Sequence, residues 1–150
     1  MVNENFFTFS EYIKKDMHFL TPSMEDYLEM IYRLSKTSGF TRINDLASSL
    51  NIQPPSATKM VQKLSKLNLI NYEKYGVIIL EDEGKRIGSA LLKRHKIIEN
   101  FLKLIGVSNG ILEETEKIEH TINPETLKCI SNLLSFFQNN VDILNDFKNF

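Results

Sequence analysis

The residues best suited to chemistry lie in the stretch ETEKIEHTINPE, where Glu116, Glu119 and His120 stand at i, i+3 and i+4. On a helix the three share one side, beside an apolar stripe of Ile111, Thr115, Ile118 and Ile122, with Glu119 at the edge of that stripe. A trio of this kind serves as a solvated salt-bridging face, as a carboxylate–histidine pair for proton transfer, or as part of a metal site. The motif is E-x-x-E-H, which matches neither H-E-x-x-H nor H-x-x-E-H, because Glu116 stands where a histidine ligand would be required. The sequence also holds no glycine-rich phosphate loop and no nucleophile elbow. A metallohydrolase is therefore the weakest reading, and the chain is expected not to be an enzyme.

Two other groups bear on the choice. Asp26 and Glu29 are i, i+3 on a helical stretch, about 60° apart in projection, so both can address one point. Alone they are an ordinary solvated pair at a helix start. His95 falls on the apolar side of a long helical pattern with Leu91, Leu92 and Ile98, where a histidine is either a satisfied core residue or a ligand. Taken together, Asp26, Glu29, His95, Glu116, Glu119 and His120 form a set of oxygen and imidazole donors without a thiolate, which suits Mn, Fe or another first-row divalent ion. The carboxylates of such a set repel one another until a cation joins them. His18 is a weaker candidate in a segment with no assigned role.

These side chains need helices to position them. LTPSMEDYLEMIYRLSKTSG opens with a cap at Thr21 or Ser23, Pro22 in the first turn and early acids, and carries Met24, Tyr27, Leu28, Ile31 and Leu34 as one stripe up to Gly39. RINDLASSLNIQPPSATKMVQKLSKLNLI then reads as two short helices broken between Asn51 and Pro55, with Val61, Leu64 and Leu67 inward on the second: a helix-turn-helix. LINYEKYGVIILEDEG reads as two strands around Tyr75-Gly76, a wing. A long helix follows from about Glu83 to Ile105, ended by Gly106, and further helices are expected over about 110–122, 124–139 and 141–149, the second opened by Asn123 and Pro124. The expected fold is mainly α with a small two-stranded β wing. A winged helix-turn-helix, a pattern suited to DNA, is expected over 21–82, and a helical second domain over 83–150. Residues 1–20 are an extension of unassigned role.

The charge distribution agrees with that division. Net charge is -1, but from Arg33 to Lys96 twelve Lys/Arg face five Asp/Glu, a balance of +7, against -8 in the remainder. A basic middle meets an anion, and acidic ends hold a cation or a partner. On the second helix of the helix-turn-helix, Ser56, Ala57, Thr58, Lys59, Gln62 and Lys63 are expected to face DNA, with Lys66 and Lys74 extending the basic surface. Lysines neutralise phosphates, polar side chains reach base edges, and Ala57 is suited to a thymine methyl. Glu81, Asp82 and Glu83 at the foot of the wing oppose phosphate. Cys129, the only cysteine, excludes an internal disulfide and fits a reducing cytosol. No signal peptide or membrane span is read, and a cytoplasmic location is expected.

TPSMEDYLEMIY, ATKMVQKL, YEKY, Arg94-His95 and IEH at 118–120 together resemble the manganese-responsive short-chain branch of the diphtheria toxin repressor family, from about Thr21 to at least Phe137. The resemblance implies a homodimeric transcriptional repressor that binds a pseudo-palindromic double-stranded operator when Mn(II) is bound and represses manganese uptake genes. It implies that Asp26, Glu29, His95, Glu116, Glu119 and His120 are the metal ligands, holding two ions per chain with bridging carboxylates. Iron-responsive relatives carry Met at the position of Asp26 and Cys at that of Glu116, so oxygen at both points to manganese. An iron-responsive or other divalent-metal repressor is the nearest alternative, and a winged-helix sensor of an organic ligand a more distant one. No organic cofactor and no membrane partner are implied. The helices after about 110, with Leu134, Phe136 and Phe137, are expected to form the dimer interface. Two features depart from the family: the first 20 residues, and a wing without basic residues just after Tyr75 and before Gly84.

Overall fold

The computed structural model describes residues 20–150, so His18 and the aromatic N-terminal stretch lie outside the described residues. The chain divides into two compact units, one comprising residues 20–92 of the described chain and the other Lys93–Phe150.

In the first unit, α1 (Pro22–Ser35) starts where the sequence signals it. Thr21 Oγ1 accepts from the Met24 amide at 3.2 Å, and Pro22 occupies the first turn, where no N–H is needed. Tyr27, Leu28 and Ile31 are buried. Strand β1 (Thr41–Arg42) leads straight into α2 (Ile43–Leu50), which Asn51 ends in a left-handed conformation with φ 55°. The next helix, α3 (Pro54–Lys66), begins at Pro54, and no side chain caps it. Ala47 and Ala57 are both buried, small residues where α2 and α3 pack.

Strands β2 (Ile70–Tyr72) and β3 (Val77–Leu80) flank a turn of 3-10 helix over Lys74–Gly76 and form the expected wing. The sheet has three strands rather than two. Its order is β1-β3-β2, all antiparallel, with Thr41 opposite Ile78 and Arg42 opposite Val77. A two-residue strand shows no alternation, so β1 is invisible to pattern reading.

Helix α4 (Asp82–Leu104) contains the boundary between the two units. Its first turns pack closely against the rest of the first unit. A Cβ added at Gly88 would lie 2.7 Å from Tyr32 Cβ, and one at Gly84 would run into the Leu69 carbonyl. Only glycine permits these approaches. Beyond the boundary, Ile98 and Leu102 of α4 pack with Leu127 of α6 (Pro124–Gln138), flanked by Ile111 and Ile118 of α5 (Ile111–Glu119). The chain closes with α7 (Val141–Lys148). Leu133, Phe136, Val141, Ile143 and Phe147 on α6 and α7 remain exposed in the single chain. Among the described residues no helix is long and apolar enough to cross a membrane.

Candidate metal centre and nucleic-acid interface

The site is built from α4 and α5 in the unit Lys93–Phe150. The burial pattern of α5 differs from the one its isoleucines imply. Thr115 and Glu119, one turn apart, are its buried residues at 0% and 2% exposure, whereas Ile111 and Ile118 are only partly covered. Glu119 thus lies at the centre of the buried face, not at its edge. A buried carboxylate needs a partner. His95, itself buried on α4, supplies one, with Nδ1 2.8 Å from Glu119 Oε2. His120, the residue that ends α5, brings Nε2 to 3.7 Å from Glu119 Oε1. The structure therefore gathers His95, Glu119 and His120 around one carboxylate.

Glu116 is different. It lies one turn earlier on α5 and is exposed. In the other unit, Asp26 is exposed on the first turns of α1, while Glu29 is mostly buried and accepts from Arg33 Nη2 at 2.7 Å.

Pattern reading gave no site role to three residues here. Glu99, one turn after His95, places Oε2 3.5 Å from His95 Nε2. Arg94 is buried, with Nη2 3.4 Å from His120 Nδ1. Thr115 Oγ1 is buried without a hydrogen-bond partner among the described residues. The i+4 spacing of His95 and Glu99 was the available signal for the first of them. The donors gathered here, carboxylate oxygen and imidazole nitrogen without sulfur, fit a hard or borderline divalent cation. Held by His95, Glu119 and His120, such a cation would supply the positive charge that the buried carboxylate needs.

Local electrostatics elsewhere are those of helix surfaces. The hydrogen bond from Arg86 holds Glu83 below the usual glutamate range at the start of α4. Glu113 is likewise lowered by its hydrogen bond with Lys117, which is raised in turn. Burial pushes the Tyr27 phenol up.

On α3, Ser56, Lys59, Gln62, Lys63 and Lys66 are exposed, and Thr58 is partly so, its Oγ1 donating to the Pro54 carbonyl at 3.1 Å. Ala57 does not belong with them. It is 0% exposed, one turn before Val61 and two before Leu64 on the inner face, so it packs in the core and offers no methyl to a thymine. Leu67, expected inward, is exposed at the end of the helix. Lys74 lies in the turn between β2 and β3.

Comparison with known proteins places this geometry in a family. Residues 19–78 match the profile described as "Iron dependent repressor, N-terminal DNA binding domain", and residues 81–147 match "Iron dependent repressor, metal binding and dimerisation domain". The HTH-type transcriptional regulator MntR of Listeria welshimeri is 46% identical over 129 residues, which are 85% of this chain and 91% of that one. The MntR of Shouchella clausii is 43% identical over 129 residues, with 85% and 90% covered. Among solved structures, the manganese regulator SloR superposes with a TM-score of 0.67 at 29% identity over 78% of this chain and 55% of its own. IdeR of T. acidophilum also gives 0.67, at 25% identity over 74% and 53%. The chain thus spans about half the length of those two solved chains. Two adjoining profiles and relatives above 40% identity over most of the sequence establish that this chain belongs to the iron-dependent, or diphtheria toxin, repressor family of metal-dependent transcriptional regulators and is not an enzyme.

Proposed function

We propose that the chain is a Mn(II)-dependent transcriptional repressor of the cytoplasm that binds a double-stranded operator as a homodimer and represses manganese uptake. The observation that carries this reading is the buried His95–Glu119 pair with His120 beside it, in the region that matches a metal-binding domain. The names of the curated relatives and of the SloR structure support manganese.

Asp26, Glu29, His95, Glu116, Glu119 and His120 are the proposed ligands, for two ions per chain. These residues would hold a divalent cation, which would supply the positive charge that their carboxylates need. Asp26 and Glu29 belong to the helix that opens the winged helix-turn-helix (residues 21–82), and the other four to residues 83–150. In the homodimer the two α3 helices meet half-sites about one DNA turn, or a multiple of it, apart. Ser56, Thr58, Lys59, Gln62, Lys63, Lys66 and Lys74 contact the DNA. Leu133 and Phe136 of α6, with the exposed face of α7, form the dimer contact, and residues 83–150 accordingly serve dimerisation as well as metal binding.

An iron-responsive repressor is the second reading, favoured by the description of the matching profiles and by the IdeR likeness. Titrating Mn(II), Fe(II) and Zn(II) against operator binding separates the two. Binding is expected to saturate with Mn(II) and to fail in chelator. Equal binding with and without chelator overturns both, and saturation by Fe(II) at much lower concentration favours the second.

A further inference from the structure

The wing is acidic at its foot: β3 runs directly into Glu81, Asp82 and Glu83. A cation that belongs to neither wing strand reaches its tip. Arg42, the last residue of β1, pairs in register with Val77, and its Nη1 donates to the Tyr75 carbonyl at 3.2 Å. Tyr75 is held at φ 66°, a left-handed conformation that is uncommon for a bulky side chain, and its ring is 92% exposed. The tip is closed on the other side by the Glu73 amide donating to the Val77 carbonyl at 2.8 Å. Strain at an exposed position that contributes nothing to the core is a pointer to function.

We infer that Arg42 is the residue that fixes the wing on DNA, positioning the tip through Tyr75 and binding a backbone phosphate with its remaining N–H groups. The inference rests on the DNA-binding reading above. A guanidinium offers five N–H donors in a rigid fork, and among the described residues only Nη1 of Arg42 donates a hydrogen bond to protein. One face of the group lies over the Phe40 ring, 5.8 Å from its centre, and the residue as a whole is exposed. Arg42 is also the residue immediately before α2, so the positive end of that helix adds to its charge. Arg42 and Asp45 line one shallow cleft with Phe40 and Thr41, yet among the described residues no ion pair joins the two. A planar cation with free edge donors recognises a phosphate diester in bidentate fashion.

The test is the salt dependence of binding by the Mn(II)-loaded full chain to a duplex that the wild type selects from random-sequence DNA. Arg42→Gln and Arg42→Met are expected to flatten the log–log slope by about 0.9 for each phosphate that is no longer neutralised, about 1.8 for a dimer. Tyr75→Gly, which relieves the backbone, is expected to weaken binding at an unchanged slope. Weaker binding by both Arg42 variants at the wild-type slope reduces Arg42 to a scaffold and overturns the assignment alone. A wild type that selects no duplex overturns the repressor reading, and the inference with it. Should neither Arg42 variant fold, methylphosphonate substitution along the duplex decides with the unaltered protein. One neutralised phosphate per half-site outside the α3 footprint must then cost affinity, and the absence of such a position overturns the assignment.

Discussion

His95 Nδ1 and Glu119 Oε2 stand 2.8 Å apart with both side chains buried, one from α4 and one from the end of α5. A carboxylate placed so deeply is stable only while something positive or proton-donating meets it. In the proposed reading the pair serves folding and metal binding with the same atoms, and substitution separates the two roles. In Glu119→Gln the side-chain shape and a hydrogen bond to His95 are retained. Thermal unfolding without added metal is expected to change by only a few degrees. The stabilisation that Mn(II) gives the wild type, about 2.7 kcal/mol at one hundred times its dissociation constant, is expected to vanish. A Glu119→Gln protein that gains as much from Mn(II) as the wild type would remove Glu119 from the ligand set.

The approach of α4 to α1 sets a second expectation. Gly88→Ala brings a methyl to 2.7 Å from Tyr32 Cβ, an atom that cannot swing aside as the tip of a side chain can. Alanine in a helix interior is favoured over glycine by about 1 kcal/mol, but overpacking costs about 1–3 kcal/mol, so a net loss is expected. Gly84→Ala, which meets the Leu69 carbonyl, should lose more. Urea midpoints for the two variants, with slopes unchanged, measure both. A midpoint for Gly88→Ala at or above that of the wild type contradicts the close seating of the helix.

Association through α6 and α7 is tested at Phe136. Its ring is about half exposed, whereas the neighbouring Phe137 turns its ring to Phe147 at 5.5 Å between centres. Phe136→Asp is expected to give a monomer by sedimentation and to weaken operator binding at least tenfold. Phe137→Asp, by contrast, should lower stability as well as association. A dimer of wild-type affinity in Phe136→Asp would move the interface elsewhere.

The Glu83–Arg86 pair predicts a pH dependence. The folded chain holds Glu83 below its ordinary value, so the pair stabilises the fold above the unfolded pKa, and that contribution fades as pH falls through the lowered folded one. Glu83 is half exposed. After allowance for solvent screening, the contribution is about 0.5 kcal/mol. Glu83→Gln should thus lower stability slightly at pH 7 and by less near pH 3, in denaturant melts at the two pH values. A deficit undiminished at low pH would assign the effect to packing.

Much of this architecture was readable from spacing. The Thr21–Pro22 start of α1, the break at Asn51 and the wing around Tyr75-Gly76 all rest on local chemistry that the chain displays openly. What escaped was set by tertiary contact. β1 is too short to alternate and exists because β3 lies beside it. Ala57 is small enough to pass for a surface residue, and only the line through Val61 and Leu64 shows that it is core. Periodicity counts a glutamate as polar and puts it outside, so the burial of Glu119 could not be read until His95 was seen against it. Gly84 and Gly88, four apart on a helix, were the legible sign of close packing and went unread.

The burial of Thr115 and Glu119 in place of Ile111 and Ile118 has a kinetic side. Ile111 and Ile118 tie α5 to the apolar cluster through contacts that open at a rate indifferent to ions, but the end of the helix is held as well by a carboxylate side chain and an imidazole. Amide protons in its last turn exchange with solvent only when that anchor lets go. Their lifetimes are therefore a clock that runs at the speed of the ionic chemistry at Glu119, readable in the intact chain without any DNA present.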